Sequence, residues 1–304
     1  MKLKTLLVLG TSMMMTSSVF ADGWVRPVPT TQDIVKDGIT AQYLYNVSTG
    51  SFMLGANDYE TRGSASRDKG MPWKIQEQTD GTYALVDSVA KFKEWRKTFV
   101  ESNAAIWVDN NNGANCNTWT LTDLGNGKYK IGNKAFADEY LGIAKDFADT
   151  RLYLTSWFTS KEPAIEADYE WTGVSIDAYK EWEPINNVYV AAMKLKADIE
   201  EAKKLYPSID LAAEETVFNN TASTIEELQA AIDAIPAKLK AAADADMASA
   251  TLANPKDVST LIKNRSFDKQ GDFAGWEGEK FGAGGTASTA AEHFNKNYDT
   301  YQAI

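Results

Sequence analysis

The stretch Trp73-Lys74-Ile75-Gln76-Glu77-Gln78-Thr79-Asp80-Gly81-Thr82-Tyr83-Ala84-Leu85 returns, in outline, as Trp119-Thr120-Leu121-Thr122-Asp123-Leu124-Gly125-Asn126-Gly127-Lys128-Tyr129-Lys130-Ile131. Behind each tryptophan stand an aliphatic residue at offset 2, a glycine at 8, a tyrosine at 10 and a second aliphatic residue at 12. Side chains on a strand alternate between its two faces, and Gly, Asn or Asp supplies the positive φ of a tight turn. Each copy therefore predicts a hairpin turning at Thr79-Asp80-Gly81 or at Gly125-Asn126-Gly127. A third copy is incomplete: Trp171 is followed by Val174 and Ile176, the Gly-x-Tyr is missing, and Asp177-Ala178-Tyr179 looks like the opening of a helix.

The three tryptophans are 46 and 52 residues apart. Upstream of each lies a second strand pair: Tyr43–Tyr45 with Phe52–Leu54, Thr98–Val100 with Ile106–Val108, and Tyr140–Gly142 with Leu152–Leu154. Three units of about four strands at this period suit a β-trefoil better than a solenoid, whose repeats are usually shorter. Because Trp73, Trp119 and Trp171 hold a repeated position, they are expected in the core.

The run Tyr43-Leu44-Tyr45-Asn46-Val47-Ser48-Thr49-Gly50-Ser51-Phe52-Met53-Leu54-Gly55-Ala56 resembles the opening of ricin-B-type and related trefoil modules. Many of those modules bind glycans, so the resemblance implies a glycan or surface polysaccharide as partner. The Gln-x-Trp signature of the lectins is absent, since Met71, Asn117 and Tyr169 stand two places before the tryptophans. The family's sugar contacts therefore do not transfer residue by residue. Flat aromatic faces outside the repeat register are the alternative: Trp107, beside Asp109 and Asn111 whose polar groups would fix a ligand's orientation, and Trp157 beside Phe158.

The first 21 residues have the parts of a cleavable secretion signal: Lys2 and Lys4, the apolar stretch Leu6–Leu9 through Met13–Met15, and Val19-Phe20-Ala21 before the cut. No cysteine follows the apolar stretch, so a lipoprotein anchor is not expected, nor is any later stretch apolar enough to span a bilayer. Export to the surface or medium is the expected location. Loss of Lys2 and Lys4 would take the net charge from −11 to −13, which argues against nucleic acid. The basic run Lys91–Lys97, broken by Glu94, reads as a solvated face. The lone cysteine, Cys116, can form no intrachain disulfide, and the single histidine, His293, lies far from it in sequence.

From about Asn187 the period changes to that of a helix: Val188, Ala192, Leu195, Ile199, Ala202 and Tyr206 share a face, and Pro207 closes it. A short helix spans Leu211 to Phe218. Ser223-Thr224-Ile225-Glu226 then has capping-box spacing and opens a helix with the stripe Ile225, Leu228, Ile232, Ile235 and Leu239, which Pro236 kinks or divides. This three-helix segment resembles the helical repeats that space domains in bacterial surface proteins. Beyond Asn254-Pro255, Leu261–Asp268 with Gly275-Trp276, and later His293–Ile304, resemble core strands of galactose-binding-like β-sandwiches. That resemblance implies carbohydrate binding and a structural calcium ion held by Asp268 and Asp272. Such sandwiches need about 100 residues, so the chain is expected to stop inside that domain.

The expected fold class is thus multi-domain β plus α. Residues 1–21 form a signal peptide, 22–183 a β-trefoil-like domain, 184–250 a three-helix spacer bundle, and 256–304 the N-terminal part of a β-sandwich. No His-Glu-x-x-His, Gly-x-Ser-x-Gly, phosphate-binding loop or Cys-x-x-Cys occurs, and no cofactor is expected beyond that calcium. A non-catalytic binding protein is the favoured reading. Its rivals are the accessory region of a secreted hydrolase and an adhesin that binds host protein.

Overall fold

The computed structural model describes residues 23–55, 63–88, 95–99, 106–108, 117–143, 152–155, 169–253, 255, 277–278 and 300–301. Within Trp95–Phe99 and Trp107–Val108 it gives the side chains of Trp95 and Lys97 only. The chain divides into two units, Met1–Val190 and Ala191–Ile304.

In the first unit, strands β1 (Gln42–Asn46), β4 (Trp73–Glu77), β5 (Tyr83–Ser88), β8 (Trp119–Gly125), β9 (Lys128–Asn133) and β12 (Trp171–Ser175) form a closed ring. Each is antiparallel to its neighbours: β1 to β4, β4 to β5, β5 to β8, β8 to β9, β9 to β12 and β12 back to β1. Three further hairpins sit on the ring: β2 (Ser51–Leu54) with β3 (Ser64–Ser66), β6 (Trp95–Phe99) with β7 (Trp107–Val108), and β10 (Phe136–Ile143) with β11 (Leu152–Thr155). A six-stranded barrel capped by three hairpins, with four strands per unit, is a β-trefoil.

Its threefold register explains the sequence repeat. Trp73 lies opposite Gln42, Trp119 opposite Tyr83, and Trp171 opposite Tyr129. Two residues beyond those partners come Leu44, Leu85 and Ile131, all fully buried with the three tryptophans. The tyrosine missing after Trp171 is therefore replaced at the other end of the domain, where Gln42 opens the strand that β12 pairs with. Closure is complete, over a five-rung ladder from Gln42↔Ser175 to Asn46↔Trp171. Indole N–H groups are satisfied inside the core: Trp73 Nε1 donates to the Met53 carbonyl at 3.2 Å and Trp171 Nε1 to that of Leu141 at 2.8 Å.

One strand pair differs from the sequence reading. Tyr43–Tyr45 with Phe52–Leu54 is β1 against β2, whereas the hairpin equivalent to β6–β7 and β10–β11 is β2–β3. Strand β3 is Ser64-Ala65-Ser66, whose small side chains give no hydrophobic alternation to detect.

The segment before β1 closes one mouth of the barrel. Ile34 packs into the core cluster with Trp73, Ile75, Trp119 and Trp171. Gln32 exchanges two backbone hydrogen bonds with Gly173 (2.8 and 3.0 Å), and the buried Gln42 amide exchanges two with Val35. At Gly173 a Cβ would meet Gln42 Oε1 at 2.8 Å and the Asp33 carbonyl at 3.0 Å, so this approach requires glycine.

Helix α1 (Ile176–Leu205) follows β12 directly. It starts at Ile176, upstream of Asn187 and of the 183/184 boundary, as Asp177-Ala178-Tyr179 suggested. Its first turns carry aromatics: Tyr179 and Trp182 join Tyr45, Phe52 and Val174 in a second buried cluster. Tyr43 and Tyr179 stack with centroids 3.7 Å apart, and Trp182 Nε1 donates to the Pro27 carbonyl at 2.9 Å. Aromatic pairs add about 0.5–1.5 kcal/mol each beyond their burial.

The second unit holds the end of α1, with α2 (Ala212–Asn219) and α3 (Ile225–Ser249). Ala192, Leu195, Ile199 and Ala202 are buried as expected, as are Leu228, Ile232 and Ile235. The capping box falls one residue later than read: the Thr224 hydroxyl accepts from Glu227 N–H at 3.3 Å, and the Glu227 carboxylate accepts from Thr224 N–H at 2.8 Å. Ile225 consequently lies off the stripe, 39% exposed, and Ala231 is buried instead. Helix α3 is not divided; Pro236 lies within it, exposed. Lys238 Nζ meets the buried Glu214 carboxylate at 2.7 Å, tying α3 to α2.

Of the region read as a β-sandwich, the described part is one antiparallel pair, β13 (Glu277–Gly278) with β14 (Thr300–Tyr301). Leu261–Asp268, Gly275-Trp276 and the signal segment lie outside the described residues.

Candidate ligand face

Six tryptophan side chains are described. Trp24, Trp73, Trp119, Trp171 and Trp182 are buried, while Trp95 is 37% exposed. Trp95 opens β6, whose register against β5 pairs Ser88 with Trp95, Asp87 with Arg96 and Val86 with Lys97. Across β5, Val86 also pairs with Lys74 of β4. Residues directly opposite on antiparallel strands share a face. The burial of Trp73, Ile75, Leu85 and Asp87 sends Lys74, Val86 and Ser88 outward. The outer face of β4–β5–β6 thus presents Lys74, Val86 and Lys97 in one row and Ser88 and Trp95 in the next. The Lys74 ammonium lies 4.5 Å from the Trp95 ring centroid, a cation–π contact worth about 0.5–1 kcal/mol at an exposed site. It helps hold the indole in place.

A different polar group gathers where the mouth is closed. Lys36 Nζ stands 4.6 Å from the Tyr129 ring centroid and 5.7 Å from that of Tyr83. Burial raises both phenols above their ordinary range; Asp33 and Asp123 add to the effect at Tyr129, and Glu77 at Tyr83. The Lys134 ammonium and the Thr82 hydroxyl hold the Asp80 carboxylate well below the usual range, and Lys134 and Asp80 pair at 2.6 Å. These contacts tie turns together. Among the described residues no group of three His, Cys, Asp or Glu side chains is placed to hold a metal ion. Nor is any described helix long and apolar enough to cross a membrane.

Of the residues singled out from sequence, Trp107 is placed by its backbone: it pairs with Phe99 in β6–β7. Asp109, Asn111, Trp157, Asp268 and Asp272 lie outside the described residues. Trp95 was missed because the run Lys91–Lys97 reads as charge alone. Its signal is period two: Lys91, Lys93, Trp95 and Lys97 alternate with Phe92, Glu94 and Arg96, the pattern of a strand with one basic, aromatic face.

A scan against protein-family models and a search of curated proteins both return no match. Solved structures give distant likenesses. The designed threefold-symmetric protein ThreeFoil is 18% identical with a TM-score of 0.37, covering 46% of this chain and 100% of its own. A ricin B-like lectin of Macrolepiota procera, in complex with lactose, is 15% identical with a TM-score of 0.35, covering 47% and 99%. An exo-β-1,3-galactanase of Clostridium thermocellum is 18% identical with a TM-score of 0.36, covering 51% of this chain and 32% of its own. The β-trefoil assignment stands on the strand ladder of the chain itself.

Proposed function

We propose that this chain is an exported, non-catalytic protein whose β-trefoil binds glycans or surface polysaccharide. One observation carries the reading: the trefoil buries its repeat tryptophans completely yet leaves Trp95 exposed on an outer sheet face, beside amine and hydroxyl groups. An exposed indole gains nothing for the core. A flat apolar ring with polar neighbours is what a sugar needs, since a pyranose offers an apolar face for stacking and a hydroxyl rim for hydrogen bonding. Export is inferred from Met1–Ala21, and the galactose-binding-like segment beyond Asn254-Pro255 is proposed as a second carbohydrate module.

The test is a glycan array on the full-length chain, repeated with Trp95→Ala, Trp107→Ala and Asp109→Ala. Specific hits lost in Trp95→Ala at an unchanged melting temperature support the reading. Loss confined to Trp107→Ala and Asp109→Ala, again with unchanged melting, moves the site to the β6–β7 hairpin. An array without hits rejects glycan binding; binding to host protein alone would instead establish the adhesin. Mass spectrometry of the secreted protein should find Asp22 at the N-terminus, and a secreted form beginning at Met1 would reject signal cleavage.

A further inference from the structure

We infer that the outer face of β4–β5–β6 selects an acidic saccharide, one carrying a uronate carboxylate or a sulfate, rather than a neutral one. This rests on the glycan-binding reading and adds the charge of the ligand. Lys74 and Lys97 flank Val86 from either side, in register on adjacent strands. Neighbouring strands lie about 4.8 Å apart and residues two apart on one strand about 6.6 Å. Lys97 thereby stands on the same face as Trp95, two residues along the strand and within reach of a sugar on its ring, and the Lys74 ammonium lies 4.5 Å from the ring centroid. In a chain of net charge −11, two lysines beside the exposed tryptophan form a local positive site within a repelling field. An anion is drawn to this spot and away from the rest of the surface.

The size of the face decides among anionic occupants. A protein interface needs on the order of 1,000 Å² with an apolar centre, whereas the described surroundings of Trp95 are two lysines, a serine and a half-buried valine. Nucleic acid needs many phosphate contacts to hold against salt, and two lysines do not supply them. A single charged sugar unit fits: its ring lies on the part of the indole that Lys74 leaves open, and its acid group meets the Lys74 and Lys97 ammonium groups.

The experiment is calorimetric titration of the full-length chain with three acidic polysaccharides (polygalacturonate, alginate and chondroitin sulfate) and with neutral counterparts, including methyl-esterified polygalacturonate. An acidic polymer is expected to bind at least about ten-fold more tightly than its neutral form, with the preference fading at high salt. Trp95→Ala should abolish binding to that polymer and Trp95→Phe should restore part of it. Lys74→Gln with Lys97→Gln should bring the acid and ester forms together. Trp95 is exposed, so near-UV dichroism and melting should show all variants folded. Neutral glycans bound as well as acidic ones would overturn the charge selection and leave the glycan-binding reading standing. Acidic binding lost with the lysines yet untouched by Trp95→Ala would overturn the site as bare electrostatics. Absence of binding to every polysaccharide, on the array as well, would overturn both.

Discussion

The trefoil has three junctions between successive units, and they are built in two ways. At β4–β5 and β8–β9 the chain turns directly. Gly81 takes φ 74°, and Gly125, Asn126 and Gly127 take 83°, 54° and 72°. The Asp80 carboxylate accepts from the Thr82 hydroxyl and N–H to hold the first turn. At β12–β1 no turn exists. The barrel is joined there by the five-rung ladder, by Gln32 against Gly173, and by aromatic packing of Tyr179 and Trp182 over Tyr43 and Phe52. A covalent turn needs a few special residues, whereas a junction without one needs whole surfaces. The third junction therefore recruits the segment before β1 and the first turns of α1.

The sharpest way to break this comparison is to remove a repeat tryptophan on each side of it. Trp119→Ala at a turned junction and Trp171→Ala at the unturned one should each cost roughly 3–5 kcal/mol, because both indoles are fully buried in one cluster. Denaturant unfolding of the variants measures this. A loss at Trp171 several-fold smaller than at Trp119 would mean that closure contributes little to the common core.

A smaller effect separates the mechanisms at the two kinds of junction. Gly81 has open space around a Cβ but a positive φ, while Gly173 has an ordinary φ but no room. Gly81→Ala should cost about 1–2 kcal/mol through the left-handed backbone, and Gly81→Asn less, since Asn tolerates that region. Gly173→Ala should cost about 1–3 kcal/mol through overpacking, and Gly173→Asn more. Melting of the four variants decides it; Gly173→Asn milder than Gly173→Ala would show that the mouth can yield.

How much of this was legible follows the same division. The hairpins around Gly81 and Gly127 were read from Trp-x-Ile and Gly-x-Tyr, because a local turn and a period-two pattern lie within one stretch of chain. The counterpart of the tyrosine missing after Trp171 was not, because Gln42, which lies opposite Trp73, is more than a hundred residues away from Trp171 and is a glutamine where the others are tyrosines. Strand β3 was invisible because serine and alanine carry no alternation. The start of α1 was half visible: Asp177-Ala178-Tyr179 suggested a helix, but Tyr179 and Trp182 pack on the barrel, so the stripe that begins at Val188 does not extend back through them. Trp95 was hidden inside a run whose charge drew attention from its alternation. Asp109, Asn111 and Trp157 stay as the sequence left them.

The subtlest prediction concerns the pH response of the unturned junction. The Tyr179 phenol accepts from Gly70 N–H at 2.9 Å and donates to Glu183 Oε1 at 3.1 Å. Burial raises its pKa above the ordinary tyrosine range; the Gly70 N–H offsets part of that rise, and the neighbouring Glu183 carboxylate adds to it. Tyr43 and Tyr45 are raised too, again mainly by burial. A group whose folded pKa lies above its unfolded value binds its proton more tightly when folded. Its contribution is full below about pH 10, the unfolded phenol value, and is lost as pH rises from there through the folded value. Closure at β12–β1, with three raised phenols against one at each turned junction (Tyr83 and Tyr129), should therefore weaken more in alkali than the turned junctions do. Tyr179→Phe should cost about 0.5–1.5 kcal/mol near neutrality, because Gly70 N–H loses its acceptor, yet its stability should fall less steeply than that of the parent above about pH 10. Denaturant midpoints measured from about pH 8 to about pH 11 give both slopes. Parallel slopes would mean that the phenol titrates in the folded protein as it does in water, and that Tyr179 closes the barrel by packing alone.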